Sequence, residues 1–457
     1  MMPRSARHLA AVLWLSLPLS AAQAQSRPAV LAAVPDATTL PPAADVTVPS
    51  ITLAELLKRA KADPPSVLAA RADLRRAQAE HSYAKSQWLP SVNGEASVGY
   101  QYDNRLVLPD APRIDSESIE TRADLTFDFT ALDLARSSRI DAANAQEKAQ
   151  GFAVESVQRR AVLSATELYL RAGAATQLVR DAQLTLERRS HQLQAITDLV
   201  QAGTRSPVDA QRAKVEVLSA EYTLGLRRTD ERAAFAALAA AVGMSVTALL
   251  RPADEHADFS VAANSPAEAR SLALDHRPEL RSASERTNAL RFEHDAAVAA
   301  RLPTFGAQAN GAITYLDVRR GAGVGGPQYG AAAGVYLRWR GLDPTVWSKG
   351  DVAAAATERG EREQTALAQT IGAEVVATYY ALQRARTESQ RAVAVLEAAQ
   401  VAREAQNGRY LAGVASLLEL LDAEDLEQEA RLRRIEARRD EAVTAAQLLS
   451  VCGMLAR

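Results

Sequence analysis

The sequence predicts a mainly α-helical protein with a small β part, in which one long-helix unit is written twice. Three observations carry this. Landmarks recur at a fixed offset: Gly203 with Gly413, Ser206 with Ser416 and Gly243 with Gly453, each 210 apart (413 − 203). Proline is missing from two very long stretches, between Pro112 and Pro207 and after Pro344. Between the helical stretches lie four segments in which apolar and polar residues alternate. Ordered repetition of this kind marks duplication, and 5% aromatic content beside abundant alanine and leucine suits long packed helices.

The chain has 457 residues and a net charge of −2, so nothing in the balance points to a nucleic acid partner. Its start reads as a secretory signal over residues 1–24. Arg4, Arg7 and His8 form the polar head, Leu9 to Leu19 the apolar run and Ala22-Gln23-Ala24 the cleavage site. No Cys follows the apolar run, so no lipid anchor is expected. Cys452 is the only cysteine and reads as a small buried apolar residue. Residues 25–50 are rich in Pro, Ala and Thr and read as a flexible segment.

Two repeats follow, 51–250 and 266–457, with a linker at 251–265. Each opens with a helical segment ending near a proline, Val67 to Leu89 before Pro90 and Leu280 to Leu302 before Pro303. The next element in each is a strand pair. In the first, Ile119, Thr121, Ala123, Leu125, Phe127 and Phe129 share one face, opposite Glu120, Arg122, Asp124, Thr126 and Asp128. In the second, Tyr329, Ala331, Ala333, Val335, Leu337 and Trp339 oppose Gly330, Gly334, Tyr336, Arg338 and Arg340. Val92 to Tyr102 and Phe305 to Tyr315 alternate more weakly. Segments of about 10 residues with aromatic ends match tilted membrane strands. Half-buried strands of a soluble sheet give the same alternation.

Ala131 to Ala202 is free to be one helix of about 70 residues and about 105 Å, and Thr345 to Ala412 is its counterpart. Helices of that length bury their apolar stripes in coiled-coil hairpins, each closed by a Gly turn and a second helix. If the strands are membrane strands, four cannot close a barrel, and open edges are not tolerated in lipid. Two chains would give eight strands and a filled interior; three chains would give a symmetric twelve-stranded barrel with a lumen.

The duplication, the strand pairs set between long helices, and the turns "AGTRSPVDAQ" (202–211) and "AGVASLLELLDAE" (412–424) resemble the TolC family of outer-membrane efflux proteins. The resemblance covers about residues 51 to 453. It implies a homotrimer whose twelve-stranded outer-membrane barrel continues into a periplasmic α-helical tunnel. It further implies that periplasmic adaptor proteins and inner-membrane pumps, of ABC or RND type, dock at the helical turns. Those turns carry Gly203, Thr204, Arg205, Ser206, Gly413, Val414, Ala415 and Ser416.

By the same resemblance Glu419 and Asp422 ring the tunnel entrance, where six carboxylates would favour cations. A carboxylate at Glu419 also suits the helix N-terminus beginning near Ser416. Asp209 and Tyr410 match the pair that latches neighbouring hairpins in the closed state, or are a first-turn Asp and a packed Tyr. A position often Arg in the second repeat is Ala415, while Arg205 holds the equivalent place in the first, so a second clamp is moved or lost. In the barrel lumen Arg122, Asp124, Arg338 and Arg340 are expected to set selectivity or simply to be solvated.

"GAGVGG" (321–326) precedes a strand and not a helix, so it reads as an external hairpin loop and not a dinucleotide site. The histidines show no metal-ligand spacing, and neither a metal, a cofactor nor catalysis is expected. A periplasmic coiled-coil scaffold or adaptor without a pore is the alternative reading. No residue names the cargo.

Overall fold

The computed structural model of the chain describes residues 48–455 apart from 63, 106–113, 246, 255–258, 261–262, 264 and 321–324. The expected signal segment and residues 25–47 lie outside the described residues, as do parts of both strand-hairpin loops. In chain order the elements are β1 (Ser50–Ile51), α1 (Leu53–Ala62), α2 (Pro65–Ser86), β2 (Ser91–Arg105), β3 (Ile114–Leu132), α3 (Leu134–Gln201) and α4 (Pro207–Ala241). There follow β4 (Arg251–Pro252), α5 (Pro266–His276), α6 (Pro278–Ala299), β5 (Thr304–Arg320), β6 (Gly326–Arg338), α7 (Pro344–Leu411) and α8 (Leu417–Val451).

The two halves match element for element. Helices α2 and α6 are each 22 residues, α3 and α7 each 68, and α4 and α8 each 35. The long helices start and stop for the same local reasons in both halves. Asp133 caps α3 by accepting from the Ala135 amide at 3.0 Å, and Asp343 caps α7 by accepting from Thr345 at 3.0 Å. At the far end Gly203 and Gly413 both take φ 75°, a left-handed conformation that suits only residues without a Cβ. Around them the amides of Gly203 and Thr204 bond the carbonyls of Val200 and Leu199, and those of Gly413 and Val414 bond Tyr410 and Arg409. Gly243 and Gly453 close α4 and α8 in the same way.

Each 68-residue helix spans about 100 Å and changes partners along its length. Along its first half α3 packs on α2 and α6; along its second half it packs on α4. Helix α7 likewise packs on α6 and then on α8, and α3 and α8 form a seam that joins the two hairpins. The core sits where the helices exchange partners. Leu56, Val162, Tyr169, Leu238 and Ala446 bring together α1, α3, α4 and α8, and Ile371, Val375, Leu448 and Cys452 form a second cluster around α7 and α8. Cys452 is buried, with its thiol against the Ala269 carbonyl.

The four long strands make one antiparallel sheet in the order β2-β3-β5-β6. They run 15, 19, 17 and 13 residues, longer than the alternation alone marks for three of them. Between the register shifts at Glu117/Ser118 and Thr130/Leu132 of β3, the pairing keeps the two faces apart. Leu125 pairs with Gly94 and Gly311, and Gly311 with Ala331; Phe127 pairs with Val92 and Ala309, and Ala309 with Ala333. On the other face Asp124 pairs with Glu95 and Ala312, and Arg122 with Ser97 and Thr314. A one-residue slip anywhere would mix the faces. The apolar face is open: Val98, Tyr100, Leu125, Ile313, Tyr329, Val335 and Leu337 are all more than half exposed.

Two details differ from the sequence reading. Strand β6 ends at Arg338, so Trp339 and Arg340 lie past it; the Trp339 indole N–H instead donates to the Arg301 carbonyl at 3.0 Å. Ser50, expected in the flexible segment, pairs with Arg251 in a two-residue parallel ladder, β1 with β4. Local pattern could not show this pairing, because both strands are two residues long and far apart in sequence.

Candidate functional site: the helical tips and the sheet

The tips of the two hairpins come together through one apolar cluster. Ile196 of α3, Ala213 of α4, Tyr410 of α7, and Leu417, Leu420 and Leu421 of α8 are buried in it, with Ala415 from the turn. Leu417, Leu420 and Leu421 are therefore core of the tip, whereas Leu418 and the carboxylates Glu419 and Asp422 lie on the outward face, all exposed. Glu419 occupies the third position of α8, and its amide donates to the Ser416 hydroxyl at 3.3 Å. Its carboxylate accepts from Gln406 of α7 at 2.8 Å. Asp422 follows one turn later on the same side.

Arg205, Asp209 and Tyr410 also meet. The Arg205 guanidinium stacks 4.5 Å above the Tyr410 ring and donates to the Tyr410 carbonyl at 3.1 Å. A side chain of the first tip thus grips the last turn of α7 in the second. Tyr410 is 5% exposed, and its hydroxyl is buried without a hydrogen-bond partner inside the chain. Burial pushes its phenol upward, Arg205 pulls it back, and Asp209 adds to the rise. Asp209 is near enough to be felt, yet the two residues of the expected latch are not bonded within one chain.

On the polar face of the sheet Arg122 pairs with Asp124 at 3.3 Å. Arg338 lies 4.9 Å over the Tyr336 ring. Tyr336 in turn crosses β5 at Gly306 to bond Thr130 of β3 at 3.1 Å. A Cβ on Gly306 would sit 2.6 Å from that ring. At the junction with the helices an Arg–Trp stack appears in each half with its members exchanged. Arg136 of α3 lies over Trp88, whereas Arg301 lies over Trp347 of α7. Among the described residues no helix is long and apolar enough to cross a membrane.

One cluster was not expected from sequence. Arg188 and Arg189 of α3 meet Glu424, Asp425, Glu427 and Arg431 of α8, with Arg403 from α7 and Glu216 from α4. The available signal was Glu427 itself, seven residues after Leu420 and so at a heptad core position.

Two long helical hairpins are thus joined to a four-stranded sheet with one open, mainly apolar face. A family model described as outer membrane efflux protein matches residues 56–244 and 269–454, most of both repeats. The chain belongs to the outer membrane efflux protein family, and is an outer-membrane channel component with a large periplasmic part. The match favours this role over a poreless scaffold. No curated protein matches the sequence. Solved structures share its fold. The outer-membrane channel OprN is 19% identical, with a TM-score of 0.70 over 88% of this chain and 89% of its own. VceC of Vibrio cholerae is 17% identical, with a TM-score of 0.65 over 88% and 96%. The open state of the MtrE channel of Neisseria gonorrhoeae is 18% identical, at 0.65 over 88% and 89%.

Proposed function

We propose that three copies of this chain build a twelve-stranded outer-membrane barrel continuous with a periplasmic helical tunnel. This trimer is the exit duct of a tripartite efflux pump or a type I secretion system. The carrying observation is the sheet: four strands that share one mainly apolar face, with β2 and β6 left as open edges. Such edges must pair with another copy before the face can meet lipid. Helix α4 supports the same reading. Val208, Val215 and Tyr222 recur every seven residues with Leu218 between, all exposed, while α4 packs chiefly on α3 within the chain. That stripe suits a neighbouring copy in a coiled-coil seam.

In this reading the tips at Gly203 to Ser206 and Gly413 to Ser416 form the closed entrance. An adaptor protein and an inner-membrane ABC or RND pump dock there. Glu419 and Asp422, exposed at the tip, become a ring of six carboxylates that favours cations and binds multivalent ones. The partnerless Tyr410 hydroxyl would find an acceptor in Asp209 of a neighbouring copy. Arg122, Asp124 and Arg338 face the lumen, and Arg340 lies at its periplasmic rim. The repeats, 51–250 and 266–457, with the 251–265 linker, act as two equal staves of the tunnel.

Planar-bilayer conductance of the detergent-purified protein tests this. A small cation-selective current, blocked by a trivalent cation, is expected. Block is lost in Glu419→Ala/Asp422→Ala, and current rises in Asp209→Ala/Tyr410→Phe. A monomer by mass in detergent, or silence from all three proteins, would sink the reading.

A further inference from the structure

The seam between the two hairpins is apolar at both ends and ionic in the middle. At the tip Ile196 of α3 packs with leucines of α8, and near the top Val162 and Tyr169 of α3 share a cluster with Ala446 of α8. Between them the apolar cluster of Val179, Ala182 and Leu224 joins α3 only to α4. What joins α3 to α8 at that level is charge. Glu427 of α8, 3% exposed, meets arginines from three helices: Arg188 of α3 at 3.3 Å, Arg403 of α7 at 2.9 Å and Arg431 of α8 at 2.8 Å.

Three guanidinium groups share the two Glu427 oxygens, and Arg431 also reaches Asp181 of α3 at 3.5 Å. The Nε atoms of Arg403 and Arg431 are buried without an aligned hydrogen-bond partner, although Arg403 Nε lies within ion-pair distance of Glu427. Incompletely paired donors raise the energy of the present arrangement without offering an alternative inside it. Helix α8 does offer one: Glu424 and Asp425, one turn nearer the tip, are held by Arg189. A sliding apolar seam must open a void, whereas an ionic seam can exchange partners from turn to turn. Burial pushes the carboxyls of Glu424 and Asp181 upward despite their arginine neighbours, so desolvation offsets part of the attraction within the cluster.

We propose that Glu427 is a positioning residue for the channel gate: shared by arginines of both hairpins, it sets the register of α8 against α3 and so holds the two tips closed. It lies 11 residues beyond the Ser416 cap (427 − 416), about 16 Å up the helix. A one-turn shift there carries the tip with it. The proposal rests on the gated-duct reading above and adds the device that holds the gate.

The test uses the full-length protein in detergent and reads both current and hydrogen exchange. Glu427→Gln leaves three arginines around a neutral amide. Mean current is expected to rise at least tenfold, and tip peptides around 193–212 and 404–422 to exchange at least tenfold faster. Peptides of α1 and α5 should not change, and Glu427→Asp, which keeps the charge, should recover most of the closed behaviour. If Glu427→Gln does not fold, Arg403→Gln at the edge of the cluster should give a smaller change in the same direction. Unaltered tip exchange in a folded Glu427→Gln or Arg403→Gln protein would overturn the proposal. A wild-type protein without current would fail the duct reading instead, and tip exchange would still decide the role of Glu427.

Discussion

The turns at Gly203 and Gly413 have the same backbone and different chemistry. Both glycines sit at φ 75°, both turns repeat the same pair of amide-to-carbonyl bonds, and a serine caps the next helix in each. Their side chains have diverged. Arg205 of the first turn is half-buried and reaches across to Tyr410, while its counterpart Ala415 is packed inside the tip cluster. The first turn is followed by Pro207, the second by Leu417, which is buried. Duplication has therefore fixed geometry, and substitution on that geometry has made one tip the clamp and the other the core.

The largest effect is expected from emptying that core. Tyr410→Ala removes a buried ring and should destabilise the tip by on the order of 3 kcal/mol. Hydrogen exchange should quicken in residues 193–213 and 404–422 and leave the upper helices unchanged. If the tip peptides stay protected, the cluster is not what joins the two turns.

Next comes the swap of unlike partners. Ala415→Arg forces a long side chain into packed space and should cost about 1–3 kcal/mol. Arg205→Ala gives up a ring stack and one hydrogen bond, for about 1 kcal/mol. Comparable thermal shifts for the two would mean that the tips are chemically equivalent after all.

Gly203→Ala and Gly413→Ala sharpen the other half of the comparison. Each places a Cβ in a left-handed turn with no neighbouring atom within 4 Å. The penalty is then backbone strain alone, about 1 kcal/mol, and should be the same at both sites in thermal melts. An unequal pair would show that one turn relaxes.

The smallest effect concerns the ionic cluster above the tips. The folded carboxyl of Glu424 titrates above its unfolded value because of burial, with Arg189 pulling it back. Its ionisation therefore opposes folding. The contribution is fully present below the unfolded pKa and is lost as pH rises through the folded one. Melting temperature measured from acid toward neutral pH should fall less steeply in Glu424→Gln than in the wild type; an identical slope would remove Glu424 as its source.

Much of this arrangement could be read in advance, because it depends on short-range rules. Proline-free stretches and turn glycines bounded the 68-residue helices to within a few residues, since a proline or one left-handed glycine is enough to stop a helix. Alternation placed the polar face of β3 from residues 119–129 alone, because the period of a strand is two. The strand end at Arg338 escaped, since Trp339 continues the pattern while its indole turns to Arg301. Glu419 and Asp422 could be placed on one helix face by their spacing, but their surroundings could not.

The sequence by itself determined the duplicated order of elements, the lengths of the two longest helices, the two faces of the sheet and the glycine turns at Gly203 and Gly413, all properties of neighbours along the chain. Only the tertiary structure decided that Arg205 stacks on Tyr410 within one chain, that Ser50 pairs with Arg251, and that Glu427 gathers arginines from three helices. Those contacts join residues far apart in sequence, up to 239 positions between Arg188 and Glu427. The physical reason is that an ion or a ring stack has no period: it forms wherever packing brings its partners within a few ångströms.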